Sequence, residues 1–146
     1  MASIDYVQKV IHGNFMQACH GKAAPLQRLK IDDGVIYYSL KLKFGSDKKC
    51  QAFTAIDRIV GESVYANDIG NGFIPFRGNV EYLVCSQVMI TPLIQNLRFI
   101  KNKHNWGYIF RFGTIKIQQP HFELISSQML PNSDKIEVVS VELATQ

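Results

Sequence analysis

Val35-Ile36-Tyr37-Tyr38-Ser39-Leu40-Lys41-Leu42-Lys43-Phe44 alternates along its length, with Ile36, Tyr38, Leu40, Leu42 and Phe44 on one side and Ser39, Lys41 and Lys43 on the other. A period of two marks extended chain laid against a core. Asp32-Asp33-Gly34 before it reads as a turn. Beyond it, Cys50 to Val60 reads as a second strand, the Gly- and Asn-rich Asn67 to Gly72 as a loop, and Val80 to Ile90, apolar on both faces, as a central strand. Helical signals flank these strands. Ser3 can cap a helix to about His12 that carries Ile4, Val7 and Ile11 on one face and ends at Gly13-Asn14. Phe15 to Pro25 fits either a second helical turn or a loop, and Pro25 suits the first turn of a short helix over Ala24 to Leu29. Thr91-Pro92 opens a helix with Leu93, Leu97 and Ile100 facing the core, and Lys101, Lys103 and His104 suit its C-terminal end. Trp106 to Ile117 reads as mostly extended, and Pro120 to Met129 as a closing helix with Phe122, Ile125 and Met129 in register. Several strands with short helices, without strand–helix alternation, predict a compact α+β barrel rather than a doubly wound sheet.

Composition sets the outer bounds. The 146 residues suit one domain, and with 47% apolar residues they can bury a core, which excludes intrinsic disorder. Charged residues make up 19%, fewer than the roughly 25% usual in soluble domains, which hints at a partly covered surface. No apolar run reaches the 18 or so residues of a membrane span, and the N-terminus lacks the pattern of a signal peptide. Cys19, Cys50 and Cys85 cannot all pair, so reduced thiols and a cytoplasmic location are expected. The net charge of +4 is local: no acid lies between Glu81 and Glu123, a stretch holding Arg98, Lys101, Lys103, Arg111 and Lys116. Such a segment suits a phosphate backbone, unless it is simply a solvated face.

Chemistry-bearing patterns are few. Gln17-Ala18-Cys19-His20-Gly21 has the look of a caspase signature, but only eighteen residues precede Cys19, too few for the upstream histidine that cysteine needs. His12, His20, His104 and His121 lack metal-ligand spacing, so neither a metal nor another cofactor is expected. Gly70-Asn71-Gly72 has no following Lys-Ser/Thr, and Asp32-Asp33, Asp57 and Glu62 read as surface acids. Arg98 to Gly113 differs, because it interleaves four basic residues with five aromatics. Aromatic faces stack on bases while cations hold phosphates, the mixture found in binders of single strands and flipped bases. The competing reading is a core strand whose charges point to water.

The same segment carries a resemblance. Leu93-Ile94-Gln95-Asn96-Leu97-Arg98-Phe99-Ile100-Lys101-Asn102-Lys103, then Asn105-Trp106-Gly107-Tyr108 and Phe110-Arg111-Phe112-Gly113, is similar to the C-terminal signature of EVE domains, a PUA-like fold related to YTH readers of methylated RNA. Cys19-His20-Gly21-Lys22-Ala23-Ala24-Pro25-Leu26 resembles a motif of one stand-alone bacterial branch. Val35 to Ser39, Gln51 to Ile56 and Gly70 to Arg77 continue in the expected order. The resemblance implies a PUA-like mixed β-barrel flanked by short helices over residues 1–130. Residues 131–146 then form an extension whose Ile136 to Leu143 could add a strand at an exposed edge. EVE domains open with a short Tyr-Trp strand before the first helix, and this sequence begins at Met1-Ala2-Ser3 beyond that point. That implies either a start placed downstream or a barrel lacking one edge strand.

For function, the resemblance implies recognition rather than catalysis: capture of a modified base, flipped from DNA or RNA, in an aromatic-lined slot. Phe15, Cys19, His20, Gly21 and Lys22 would form one lip, Tyr38 and Ser39 the floor, and Trp106 and Tyr108 the stacking surfaces. Arg77, Arg98, Lys101, Lys103 and Arg111 would contact phosphates. Nucleic acid is the expected partner, with a nuclease or a second copy of the chain as further possibilities and no role for a membrane. Two other classes stay open: a small hydrolase using Cys19 with a histidine, and an interaction subunit with no nucleic-acid ligand.

Overall fold

The computed structural model describes residues 4–16, 24–27, 29–41, 49–70, 72, 74, 76–111, 114–130 and 141–144; side chains are not described at 4–6, 24–25, 41, 62–63, 111, 114 and 141–144. In chain order these form α1 (Ile4–Gly13), β1 (Phe15–Met16), α2 (Ala24–Gln27), β2 (Gly34–Lys41), β3 (Lys49–Ala66), β4 (Phe76–Tyr82) and β5 (Val88–Met89). Two 3-10 helices (Thr91–Asn96 and Trp106–Arg111), β6 (Thr114–Ile117), α3 (Gln119–Met129) and β7 (Val141–Ala144) follow. One mostly antiparallel sheet runs β1-β4-β3-β2-β7-β6, with β5 on β3. The α+β, PUA-like expectation holds, although among the described residues the path is open, with β1 and β6 at its ends.

The β2–β3 hairpin is the spine, and it is buried on both faces. Ile36 and Tyr38 enter one apolar cluster with Phe53, Ile56, Leu97, Phe110, Phe122 and Ile125. Val35 and Tyr37 enter a second with Val7, Val10, Phe15, Met16, Ala55 and Ile59, under α1. The side of β2 expected to meet water is therefore covered, and Ser39 is fully buried. Its hydroxyl meets that of Thr54 at 2.7 Å. Thr54 is an extra residue in the ladder, since Tyr37 pairs with Ala55 and Tyr38 with Phe53. A buried hydroxyl needs a partner, and the bulge supplies one.

That bulge also explains a departure from expectation. Val80 to Ile90 is not one strand: β4 pairs with β3 at 57–66, β5 pairs at Ala52–Phe53, and Val84 between them is 85% exposed. A single straight strand cannot keep register on both sides of an inserted residue. The chain detours instead, with Leu83 N–H on Ile56 O (3.0 Å) and Ser86 N–H on Met129 O (2.8 Å).

Elsewhere, α1 ends as its sequence signals. Asn14 adopts φ 52°, its N–H returns to Ile11 O, and Phe15 starts a short strand against β4 rather than a second helical turn. A side chain on Gly13 would collide with the Phe15 ring, so only glycine lets the ring fold back there. The helix at 91–96 is shorter than expected, yet Leu93, Leu97 and Ile100 are all buried as its pattern requires. α3 buries Phe122, Ile125 and Met129.

Asp57 is the exception to this apolar logic. It lies cross-strand from Val35 and Tyr82, facing the second cluster, fully buried with neither carboxylate oxygen hydrogen-bonded. Burial holds its acid well above the usual carboxylate range. The native state thus keeps a proton that the unfolded chain releases near the ordinary value of 3.8, so stability falls as pH rises through that window. Asp57→Asn is expected to raise the melting temperature at pH 7 and to lose that advantage near pH 3, measured by thermal melts across pH.

Candidate nucleic-acid interface

Trp106 to Arg111 is helical rather than extended, and this rearranges its aromatics. An extended reading puts Trp106, Tyr108 and Phe110 on one face. In a 3-10 helix of three residues per turn, i+2 and i+4 turn away from i in opposite directions, so Tyr108 and Phe110 no longer share a face. Trp106 lies edge-on to Phe110, with centroids 6.3 Å apart at 75°, whereas Tyr108 stands 53% exposed. Phe110 in turn stacks on Tyr38 at 4.0 Å and 20°, and Phe53 closes on Tyr38 edge-on at 5.8 Å. Two residues expected to share a slot, Tyr38 and Trp106, are thus joined through Phe110.

The members differ in access. Tyr38 and Phe110 are fully buried, and Trp106 is half-buried. The Tyr38 hydroxyl is enclosed without a hydrogen-bond partner, and burial pushes its ionisation far up, with Cys50 nearby adding to the effect. The aromatic end open to a ligand is therefore at Trp106 and Tyr108, with Phe110 and Tyr38 stacked behind as support.

Other expected floor and lip residues lie elsewhere. Ser39, one residue from Tyr38 along a strand, sits on the opposite face against Thr54. Phe15 is buried in the second cluster, away from Tyr38 and Trp106. Arg77, expected at a phosphate, lays its guanidinium 3.8 Å over the Phe15 ring. Beside Phe15, the Tyr82 hydroxyl donates to Phe15 O (2.8 Å) and lies 3.3 Å from the Tyr37 hydroxyl. Cys19, His20, Gly21 and Lys22 fall outside the described residues, as does the Arg111 side chain.

The link between the two 3-10 helices carries the cations, and it is held by its own side chains. Lys103, half-buried, donates from Nζ to Ile94 O (2.8 Å) and Leu97 O (2.9 Å) at the end of the 91–96 helix, carbonyls that also accept the N–H groups of Leu97 and Ile100. Asn102 Oδ1 accepts the N–H groups of His104 and Asn105, each at 3.1 Å, just before Trp106. Arg98 N–H meets His121 Nε2 at 3.3 Å, and Phe99 packs edge-on to that ring. His121 is held neutral: burial lowers its pKa, and the charges of Arg98 and Lys103 lower it further. The side chains of Arg98, Lys101 and His104 are exposed. Lys103 is thus built into the fold, while Arg98 and Lys101 face outward on a stiffened segment that leads into Trp106.

The likeness to known proteins spans most of the chain. A family model described as the EVE domain matches residues 1–128. The chain belongs to the EVE family. A UPF0310 protein of Bacillus licheniformis, encoded in the gntR 5' region, is 47% identical over 128 residues, covering 88% of this chain and 87% of its own. The UPF0310 protein msl3206 of Mesorhizobium japonicum is 44% identical over 131 residues, covering 88% of each chain. YdcG of Bacillus subtilis, another UPF0310 protein, is 32% identical over 129 residues at the same coverage. UPF0310 proteins are the stand-alone bacterial EVE domains. EVE domains are PUA-like, often bind nucleic acid and are generally non-catalytic. No described helix is long and apolar enough to cross a membrane.

Burial raises the pKa of both Cys50 and Cys85, so these two remain largely protonated thiols at neutral pH. Among the described residues, sequence reasoning gives Phe110, Tyr37 and Tyr82 no individual role, and it reads Asp57, here fully buried, as a surface acid. Phe110 could have been found by testing the 106–111 aromatics against helical spacing.

Lys103→Met is expected to lower stability by about 1 kcal/mol, because two carbonyls lose a charged donor at a half-exposed site. Lys101→Met should leave stability unchanged. Paired thermal melts check this, and equal melting temperatures for the two variants would place Lys103 on the surface instead.

Proposed function

We propose that this EVE-family chain is a non-catalytic reader that captures a modified base, flipped from its strand, against Trp106. The observation that carries the reading is the half-open Trp106 braced by the buried Phe110–Tyr38 stack at the end of a stiffened, acid-free basic segment. A flipped base needs an aromatic face that does not collapse when empty and cations outside it for the backbone. Trp106 would supply the face, Tyr108 a second stacking surface, and Arg98, Lys101 and Arg111 the phosphate contacts. Cys19, His20, Gly21 and Lys22 would form the opposing lip. Family membership supports nucleic acid as the ligand class.

On this reading Trp106→Ala weakens binding of an oligonucleotide carrying the modified base by roughly 1–3 kcal/mol, the value of one base–aromatic stack. Fluorescence anisotropy at fixed salt measures it, with circular dichroism to confirm the fold. An unchanged dissociation constant in the folded variant would remove Trp106 from the site. Arg98→Ala and Lys101→Ala should each weaken binding across all sequences and make it less salt-dependent.

A further inference from the structure

β7 occupies an unusual place. It lies beyond residue 128, where the family match ends, yet it is not an outer strand. Each of its residues is paired on both sides: Val141 to Ala144 run parallel to Gly34 to Tyr37 of β2, and antiparallel to Ile117 back to Thr114 of β6. The tail expected to decorate an edge is instead inserted between two strands. Among the described strands, β6 reaches the sheet only through β7.

This insertion bears on the aromatic cluster. β6 starts three residues after Arg111, where the Trp106 helix ends, and Ala144 pairs with Tyr37, next to Tyr38. Strand pairing through β7 therefore ties the element bearing Trp106 and Phe110 to the strand bearing Tyr38. Without it, β2 and β6 would each present unpaired N–H and C=O groups, a template for adding a strand.

We propose that β2 and β6 form a strand-acceptor slot, which this chain fills with its own residues 141–144, and that filling it seats the Trp106 helix against Tyr38. The C-terminal strand is then a separable clasp on the aromatic cluster, whatever ligand the cluster takes.

The test uses the full-length chain carrying Leu143→Pro. Proline at a doubly paired position removes a ladder N–H and is not accommodated in an inner strand, so the tail can no longer fill the slot. Trp106, the sole tryptophan, reports on the cluster without any nucleic acid. The variant should show red-shifted Trp106 emission and a lower melting temperature. A synthetic peptide of residues 136–146 should restore both saturably, while the same peptide with the proline should not. If the variant does not fold alone, the peptide is supplied during refolding and the same two readouts apply. A variant with unaltered emission and melting temperature overturns the proposal. So does a damaged variant that excess peptide fails to restore, or a wild-type chain found by size-exclusion chromatography to be a dimer with exchanged tails.

Discussion

The packing of β2 between two apolar clusters is the constraint on which the rest depends. Ile36 and Tyr38 are committed to one side, Val35 and Tyr37 to the other, and none of the four is exposed. A one-residue slip would exchange the two sets, placing each in a cavity shaped for the other. The Thr54 bulge fixes the register by giving the buried Ser39 hydroxyl its partner, and it also forces the detour between β4 and β5. Tyr37 is thereby sent to the Phe15–Tyr82 cluster and Tyr38 to the Phe110–Trp106 cluster. The two adjacent tyrosines consequently belong to different surroundings.

Much of this architecture is legible from periodicity. The β2 alternation, the Asp32–Gly34 turn, the end of α1 at Gly13–Asn14 and the α3 register all follow from local rules. What local rules do not reveal is whether the second face of a strand is covered. Ser39, Lys41 and Lys43 suggest a wet face, and only α1 folding over Val35 and Tyr37 shows otherwise. Asp57 misleads for the same reason: an acid in a strand reads as a surface group until its cross-strand neighbours, Val35 and Tyr82, are known. The 106–111 segment misleads differently. Its aromatics fit an extended and a helical reading alike, and the packing of Phe110 on Tyr38 belongs to the helical one.

The basic segment illustrates how charge counts overstate a binding surface. Of the cations counted between Glu81 and Glu123, Lys103 is consumed by two main-chain carbonyls, and outside that stretch Arg77 lies on the Phe15 ring. Arg98 and Lys101 remain outward, on a backbone that Asn102 and Lys103 hold in place. On the proposed reading, holding that loop before a nucleic acid arrives would lower the entropy cost of binding, so a small number of cations could serve. The chain thus spends part of its positive charge on arranging the rest.

In the proposed function, Trp106 is the surface that receives a base. Its own fluorescence, titrated with two oligonucleotides that differ only at one position, tests this most directly. Saturable quenching by the strand bearing the modified base, and little by the strand with an abasic site there, is the predicted result. Equal quenching by both strands, or no change with either while anisotropy reports binding, would mean that nucleic acid docks elsewhere and that Trp106 is only part of the core.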